Sequence, residues 1–219
     1  MRKCCVRELG RIDYARAFDL QQQLAAERKQ GLIADQLLLL EHPHVITMGR
    51  NAHRENLLAS PEILERAGIE LHHTDRGGDV TYHGPGQIVG YPIVDLRDWK
   101  RDVGAYLRAL EQVLIETLAG FGITAGRREG ATGVWVGDAK VAAMGVHISR
   151  WVTSHGFALN LDTDLEYFKY IVPCGLTLPV TSLRALGCAA SRAAVTTSLA
   201  AAFGRVFERD VRGAKMERE

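Results

Sequence analysis

Short strand-like runs fill the middle of this chain, and amphipathic helices stand before, among and after them. The clearest helix begins at Asp102 and carries apolar residues at helical spacing as far as Gly122. Residues 36–40 and 45–48 are β-rich runs joined by residues 41–44, a pattern that favours a hairpin. This order of elements predicts an α+β fold with a mixed, mostly antiparallel sheet flanked by helices.

Three further helices and several strands complete the pattern. Asp13 and Ser60 are suitable N-caps for helices that end near residues 30 and 68, and a last helix is predicted over about residues 192–208. Strands are predicted over residues 4–9, 69–73, 133–136, 139–148 and 154–161, and from Val89 onward. The 219 residues contain no internal repeat and no linker-like stretch, so we expect one domain spanning residues 1–219.

Charge and composition exclude several classes of protein. The formal net charge is +1, from 27 basic and 26 acidic residues, which argues against binding nucleic acid through bulk phosphate neutralisation. The longest apolar stretches are far too short to span a bilayer, and no apolar segment follows the N-terminal basic residues. We therefore expect a cytoplasmic protein without a membrane partner, whose four cysteines are reduced.

Residues 75–87 are the segment richest in glycine and directional donors. Four glycines lie within ten residues and let the backbone approach a ligand closely, and Arg76, His83 and Gln87 lie among them. An alternative is that two glycine-rich turns simply flank a strand. The segment lacks the Gly-Lys-Ser/Thr ending of a phosphate-binding loop, so it does not predict a nucleotide site.

Cys174 lies in a loop between Pro173 and Gly175. A thiol held between a rigid and a permissive residue can be exposed and aimed, as a nucleophile must be. The alternative is a small buried hydrophobic residue, which is the usual environment of a free cysteine. Cys4 and Cys5 are adjacent in a predicted strand, so one of them faces inward.

Lys140 follows a tight turn and precedes an apolar run. Partial burial beside that strand would lower its pKa toward a value suited to proton transfer. The alternative is an ordinary solvated lysine at the end of a hairpin.

The eight histidines raise the question of a metal site. The only close pairs are residues 42 and 44 and residues 72 and 73, and neither has a cysteine or glutamate at a recognised ligand spacing. We therefore expect no metal and no other cofactor.

Four segments, found in order along the chain, together resemble one enzyme family. They cover residues 76–87, 137–148, 155–160 and 173–175, and the likeness extends over about residues 14–208. They resemble the octanoyl-[acyl-carrier-protein]:protein octanoyltransferases, also called lipoyl(octanoyl) transferases. The resemblance implies the fold of the biotin/lipoate protein ligase catalytic domain.

The same resemblance implies an activity and its residues. The family moves an octanoyl group from acyl carrier protein to a lysine of lipoyl domains, those of 2-oxoacid dehydrogenase E2 subunits and of the glycine cleavage H protein. It implies Cys174 as the nucleophile that carries the acyl thioester and Lys140 as the residue that lowers its pKa. The implied substrate-binding residues are Arg76, Gly77, Gly78, Asp79, Val80, Thr81, Tyr82, His83, Ala143, Met144, Gly145, Gly156, Phe157 and Ala158. We also expect a monomer.

Three alternatives remain open from the sequence. An ATP-dependent lipoate or biotin ligase shares the fold but activates its acid as an adenylate and needs no cysteine nucleophile. A binding module without catalysis would form no covalent acyl-enzyme, and a variant enzyme would draw octanoyl from an already modified protein. Acyl carrier proteins are acidic, so Arg127, Arg128 and Arg184 are candidates for a docking patch, although each also suits ordinary solvated surface.

Overall fold

A computed structural model describes residues 1–172 and 178–213 of the chain. Its strands are β1 (Arg2–Arg11), β2 (Asp35–Glu41), β3 (Val45–Met48), β4 (Glu70–His73), β5 (Val80–His83), β6 (Gln87–Ile93), β7 (Gly126–Arg128), β8 (Ala131–Val136), β9 (Ala139–Ser149), β10 (Val152–Asn160) and β11 (Arg209–Gly213). The helices are α1 (Tyr14–Lys29), α2 (Pro61–Arg66), α3 (Val103–Ala119) and α4 (Arg192–Val206). Short 3₁₀ turns cover Arg54–Asn56, Leu96–Asp98 and Leu165–Tyr170.

The main sheet has eight strands in the order β11-β1-β2-β6-β10-β9-β8-β7. Strand β1 runs parallel to both of its neighbours, and the remaining pairs in this sheet are antiparallel. The predicted α+β class and mostly antiparallel mixed sheet are therefore confirmed.

The predicted hairpin of residues 36–40 and 45–48 is wrong. Strand β3 belongs to a second sheet of order β4-β3-β5, whereas β2 lies inside the main sheet between β1 and β6. His42 explains the divergence, since its Nδ1 donates to the Ile12 carbonyl at 2.7 Å and its Nε2 accepts from the Tyr91 hydroxyl at 2.8 Å. These bonds fix the fully buried His42, so the chain leaves the main sheet after β2 and does not turn back along it.

The faces of the main sheet belong to separate cores. Leu37 and Leu39 of β2 pack with α3 and α4 on one face, whereas Leu38 and Leu40 pack with α1 on the other. This alternation is the period of two that a strand imposes. A third core joins the small sheet to α2 and lies apart from the helices α3 and α4.

Strand β11 was not predicted, because its sequence is mostly charged. Buried ion pairs hold the chain beside it: Arg209 Nε lies 2.7 Å from Asp35 Oδ2, and Arg28 Nε lies 2.7 Å from Asp35 Oδ1.

Helix caps were predicted more accurately. The side chains of Ser60 and Asp102 accept backbone N–H bonds at their helix starts, whereas Asp13 occupies the N-cap position without such a bond.

None of the helices in the described ranges combines the length and the apolar composition needed to cross a membrane.

Candidate active site

A cleft lies between the two sheets. The small sheet and the loop that precedes β5 form one side, and the face of the main sheet that packs against α1 forms the other. It holds about 480 Å³ of space, part of it open to solvent. Its walls are formed by Tyr14, Arg76, Gly78, Thr81, His83, Tyr91, Ala143, Met144, Gly145, His155, Gly156, Phe157 and Ala158. Ten of these residues belong to the predicted substrate-binding set, so distant segments of the sequence do meet in one place.

Strand β5 contributes alternate residues to this cleft. Thr81 and His83 line it, whereas Val80 and Tyr82 are fully buried in the core of the small sheet. Tyr82 is held there by a 2.7 Å hydrogen bond between its hydroxyl and His44 Nδ1. The predicted run of residues 76–83 is therefore divided by the strand's period of two.

Arg76 fixes the loop that precedes β5. Its side chain is buried, and its Nη2 donates to the Thr47 carbonyl at 2.7 Å while its Nε donates to Thr47 Oγ1 at 3.1 Å. The next residue, Gly77, donates its N–H to the Val146 carbonyl at 2.9 Å. The loop thus bridges β3 of the small sheet and β9 of the main sheet, and this bridge forms one wall of the cleft.

Two glycines of the cleft lining, Gly145 of β9 and Gly156 of β10, serve contacts within the protein. A Cβ at Gly145 would lie 2.7 Å from the Gly77 carbonyl oxygen, and one at Gly156 would lie 2.2 Å from the Gly90 carbonyl oxygen. Any larger residue would push these backbone segments apart. At these two positions glycine lets one backbone segment approach another.

Asp79 has a structural position outside the cleft lining. Its Oδ1 accepts N–H bonds from His53 at 3.0 Å and Val80 at 2.8 Å, and its Oδ2 accepts from Asn56 Nδ2. Asp79 therefore orders the loop before α2.

The facing wall comes from two paired strands of the main sheet. Ala143 of β9 is in register with Ala158 of β10, and Met144 is in register with Phe157. The small side chains of the alanine pair leave the space between the sheets open.

Lys140 borders a second cavity, whose space of about 350 Å³ is partly open to solvent and which shares Thr81, Ala143 and Ala158 with the cleft. Its side chain is only 7% exposed, so the alternative of a solvated hairpin lysine is wrong. Its backbone N–H donates to the Pro179 carbonyl at 2.8 Å, and its carbonyl accepts from Thr181 at 2.9 Å. Lys140 thus borders a cavity that adjoins the cleft through three shared lining residues.

Cys174 lies outside the described residues. Of the described cysteines, Cys4 is fully buried and Cys5 is partly exposed, as expected for neighbours in a strand. Burial raises the pKa of Cys4 well above the ordinary value, so this thiol is not a source of thiolate. Cys188 is partly buried against the core beneath α3 and α4.

A hydrogen-bonded chain fixes the protonation of His83. Asn160 Nδ2 donates to the Thr181 carbonyl at 3.0 Å, so Asn160 Oδ1 accepts from Gln87 Nε2 at 2.9 Å. Gln87 Oε1 is then left to accept from His83 Nδ1 at 2.8 Å. Because burial lowers the pKa of His83 to about 3, the ring is neutral at pH 7, with its proton on Nδ1 and its lone pair on Nε2.

Sequence reasoning missed Tyr14, Tyr91 and His155 as cleft residues. His155 is the first residue of the motif at residues 155–160. It has a positive φ of 55°, and its Nε2 lies 2.7 Å from Asp75 Oδ1. Tyr14 and Tyr91 belong to a helix and a strand far apart in sequence, so only the tertiary fold brings them together.

Stability should decrease in acid because buried histidines stay neutral in the fold. Burial lowers the pKa of His83 to about 3 and that of His42 to about 4, against about 6.5 when unfolded. Their contribution is present above pH 6.5 and is lost as pH falls, since the unfolded chain then takes up protons first. At pH 5 each histidine lowers the free energy of unfolding by about 2 kcal/mol relative to its value well above pH 6.5. Urea unfolding at pH 7.5 and pH 5 measures this loss.

The substitution His83→Gln cannot take up a proton and should remove about 2 kcal/mol of that pH dependence. His53→Gln is the matched control, because the His53 side chain is 68% exposed. Equal stability of the native protein at both pH values would contradict the prediction.

The three candidate docking arginines are each paired with an acid. Arg127 donates to Glu111 at 3.0 Å, Arg128 lies 3.3 Å from Asp138, and Arg184 lies 3.4 Å from Asp162. Glu111 is fully buried on α3, so Arg127 has a structural partner.

In the part of the chain that the structure describes, no three His, Cys, Asp or Glu side chains are arranged to hold a metal ion.

Comparison with known proteins identifies the class to which this fold and cleft belong. The family model of the lipoyl protein ligase A/B catalytic domain matches residues 13–204. Among solved structures, lipoate-protein ligase A bound with ATP has a TM-score of 0.80 at 16% identity, covering 98% of this chain and 90% of that one. The bi-partite lipoate protein ligase of Thermoplasma acidophilum has a TM-score of 0.79 at 17% identity, covering 99% and 89%. At these identities the likeness shows the fold alone.

Two curated relatives narrow the class. The octanoyltransferase of Solibacter usitatus is 69% identical over 95% of this chain and 94% of its own length. The octanoyltransferase of Koribacter versatilis is 54% identical over 94% of this chain and 85% of its own length. The chain therefore belongs to the lipoyl protein ligase A/B catalytic domain family and, within it, to the octanoyltransferases. The predicted family and the expectation of an acyltransferase are confirmed.

Proposed function

We propose that this protein transfers an octanoyl group from octanoyl-acyl carrier protein to a lysine of a lipoyl domain, through a thioester on Cys174. The observation that carries the proposal is the position of Lys140 on a cavity that adjoins an apolar cleft through three shared lining residues. The names of the relatives supply the acyl group and support its transfer.

The reaction proceeds in two exchanges. The Cys174 thiolate attacks the carbonyl carbon of the donor thioester, a new C–S bond forms, the C–S bond to the donor breaks, and the departing donor sulfur takes a proton from the Lys140 ammonium group. The amine of the target lysine then attacks the same carbon, a C–N bond forms, and the bond to Cys174 breaks, which releases Cys174 as a thiolate. The incoming amine loses a proton in this step, and Lys140, left neutral by the first exchange, is a suitable acceptor and becomes an ammonium group again.

The described chain on both sides of residues 173–177 supports this role for Cys174. The N–H of Val172 donates to the Asn56 carbonyl at 2.8 Å, in the loop that Asp79 orders. On the other side, the Pro179 carbonyl accepts from the backbone of Lys140. The second anchor, Lys140, borders the cavity that adjoins the cleft, and the first lies in the loop that Asp79 orders.

Partners and location follow from the same proposal. The acceptors are lipoyl domains of 2-oxoacid dehydrogenase E2 subunits and of the glycine cleavage H protein, and the donor is the acidic carrier. We propose a cytoplasmic monomer of one domain that acts without a cofactor, a metal or nucleic acid.

Transfer without ATP distinguishes this proposal from a ligase on the same fold. The protein is incubated with octanoyl-carrier and a purified lipoyl domain, and in a parallel reaction with octanoic acid, ATP and Mg²⁺. We expect the lipoyl domain to gain the mass of one octanoyl group only in the first reaction. Modification only in the second would replace the proposal with the ligase alternative, and modification in neither would favour a binding module.

Ala143 offers a test of the route taken by the acyl chain. Because Ala143 lines both the cleft and the Lys140 cavity, Ala143→Leu should block the passage between them. We expect transfer of octanoyl to slow at least about tenfold, and transfer of butyryl to slow less, since a shorter chain needs less of the cleft. Rates are measured by intact mass with the two acyl-carriers.

The matched control is Ala139→Leu, which adds the same side chain at the start of β9, outside the cleft lining. Unchanged octanoyl transfer by Ala143→Leu would contradict this route.

A further inference from the structure

The side chain of Lys140 runs along one face of β8. A Cβ at Gly133 would lie 3.3 Å from Lys140 Cε and 3.6 Å from its Cδ, so the apolar stem crosses the backbone where no side chain intervenes. The Nζ atom then lies 4.8 Å from the centroid of the Trp135 ring. Gly133 and Trp135 are two residues apart and so share this face of the strand.

Trp135 combines two features: cationic side chains lie against its ring, and its indole N–H lacks a hydrogen bond within the described residues. It is 4% exposed, yet its indole N–H has no hydrogen-bond partner among the described residues. A buried tryptophan usually pairs that N–H. Arg128 Cζ also lies 5.3 Å from the ring centroid. Trp135 therefore contacts two cations through its ring, while its indole N–H is unpaired within the described part of the chain.

We propose that Trp135 is a positioning residue for Lys140: its ring face holds the ammonium group charged and in place beside the cavity that joins the acyl cleft. The proposal rests on the acyl transfer proposed above, because that reaction needs a cation to stabilise the attacking thiolate. An indole face attracts an ammonium ion without neutralising it, whereas a carboxylate would form a salt bridge with it.

The charged groups around Lys140 are consistent with this role. Arg128 of β7 shares the ring and is paired with Asp138. Glu111 of α3 lies behind β8, where its Oε1 accepts from the Gly133 N–H, and its other oxygen is paired with two arginines. The other described residues that line the Lys140 cavity are neutral.

Substitution of the ring tests the proposal. The variants are Trp135→Leu, Trp135→Phe and, as a matched control, Trp99→Leu, since Lys100 Nζ lies 5.4 Å from the Trp99 ring in a site away from the cleft. Acylation by octanoyl-carrier is followed by intact mass from pH 5.5 to pH 9.5. We expect Trp135→Leu to be about three- to tenfold slower at pH 7, with the midpoint of its pH profile raised and its rate at high pH retained.

Trp135→Phe should show a smaller shift, because phenylalanine keeps an aromatic face, and Trp99→Leu should keep the wild-type midpoint. A wild-type midpoint in Trp135→Leu would overturn the proposal, as would equal shifts in the leucine and phenylalanine variants. If the leucine variant fails to fold, an unchanged midpoint in Trp135→Phe is equally decisive.

A second measurement separates this proposal from the proposed acyl transfer. The ¹⁵Nζ signal of Lys140 is titrated by NMR in the wild type and in Trp135→Phe, with no acyl donor present. The weaker attraction of the phenylalanine ring for the ammonium group should lower the pKa of Lys140 in the variant, and an unchanged value would overturn the ring contact. Failure of the wild type to take up octanoyl at any pH would instead reject the proposed function.

Discussion

Cys174→Ala is expected to abolish octanoylation of the protein by octanoyl-carrier, whereas Cys188→Ala should acylate at the wild-type rate. Removal of an attacking nucleophile leaves only the binding contribution to the reaction, so we expect at least about a thousandfold loss. Intact mass after a short incubation without ATP measures the adduct, and peptide mapping identifies the residue that carries it.

The described thiols are poor substitutes for Cys174. Burial keeps Cys4 protonated by raising its pKa. Cys5 lies on β1, which the strand order separates from β9 by four strand spacings, a distance of roughly 19 Å. Cys188 packs against the core on the α3 and α4 side of the sheet. An adduct that persists in Cys174→Ala would therefore overturn the assignment of the acyl thioester to Cys174, whichever residue carried it.

The fold could be predicted wherever local signals agreed with tertiary packing. The capping side chains of Ser60 and Asp102 and the apolar spacing of α3 are local, so their helices were found with small errors at the ends. The connection after β2 was misread because its turn-like composition conceals the buried bonds of His42. Strand β11 is charged, and its pairing depends on the distant Asp35.

The candidate site was predictable as a set of segments, but the roles of single residues were not. A motif gives contiguous residues, whereas a strand sends Thr81 into the cleft and Val80 into a core. Knowledge of the period of two would have divided this run correctly. The burial of Lys140 needed more: the turn at residues 137–138 places Lys140 opposite Trp135, but the register shift before Trp135 and the contact with Gly133 are visible only in the structure.

Lys140→Met is expected to slow acylation of the protein by about ten- to a hundredfold at pH 7. A free thiol with a pKa near 8.5 is only a few per cent ionised at that pH, and a neighbouring ammonium group lowers this value by one unit or more. Methionine has a similar length without the charge, and it suits a site where the lysine is 7% exposed. Rates are measured by intact mass over a range of pH.

The pH dependence distinguishes an electrostatic role from a structural one. If Lys140 acts by stabilising the thiolate, the deficit of the methionine variant should narrow toward pH 9.5, where the thiol ionises without help. Lys169→Met is the matched control, since Lys169 lies beside the cavity residue Phe168 but its side chain is 60% exposed. A constant deficit at every pH would point to lost packing, and a wild-type rate at pH 7 would remove Lys140 from the mechanism. The Trp135 variants keep this lysine and change only the ring that holds it. Their pH–rate profiles should therefore lie between that of the wild type and that of Lys140→Met.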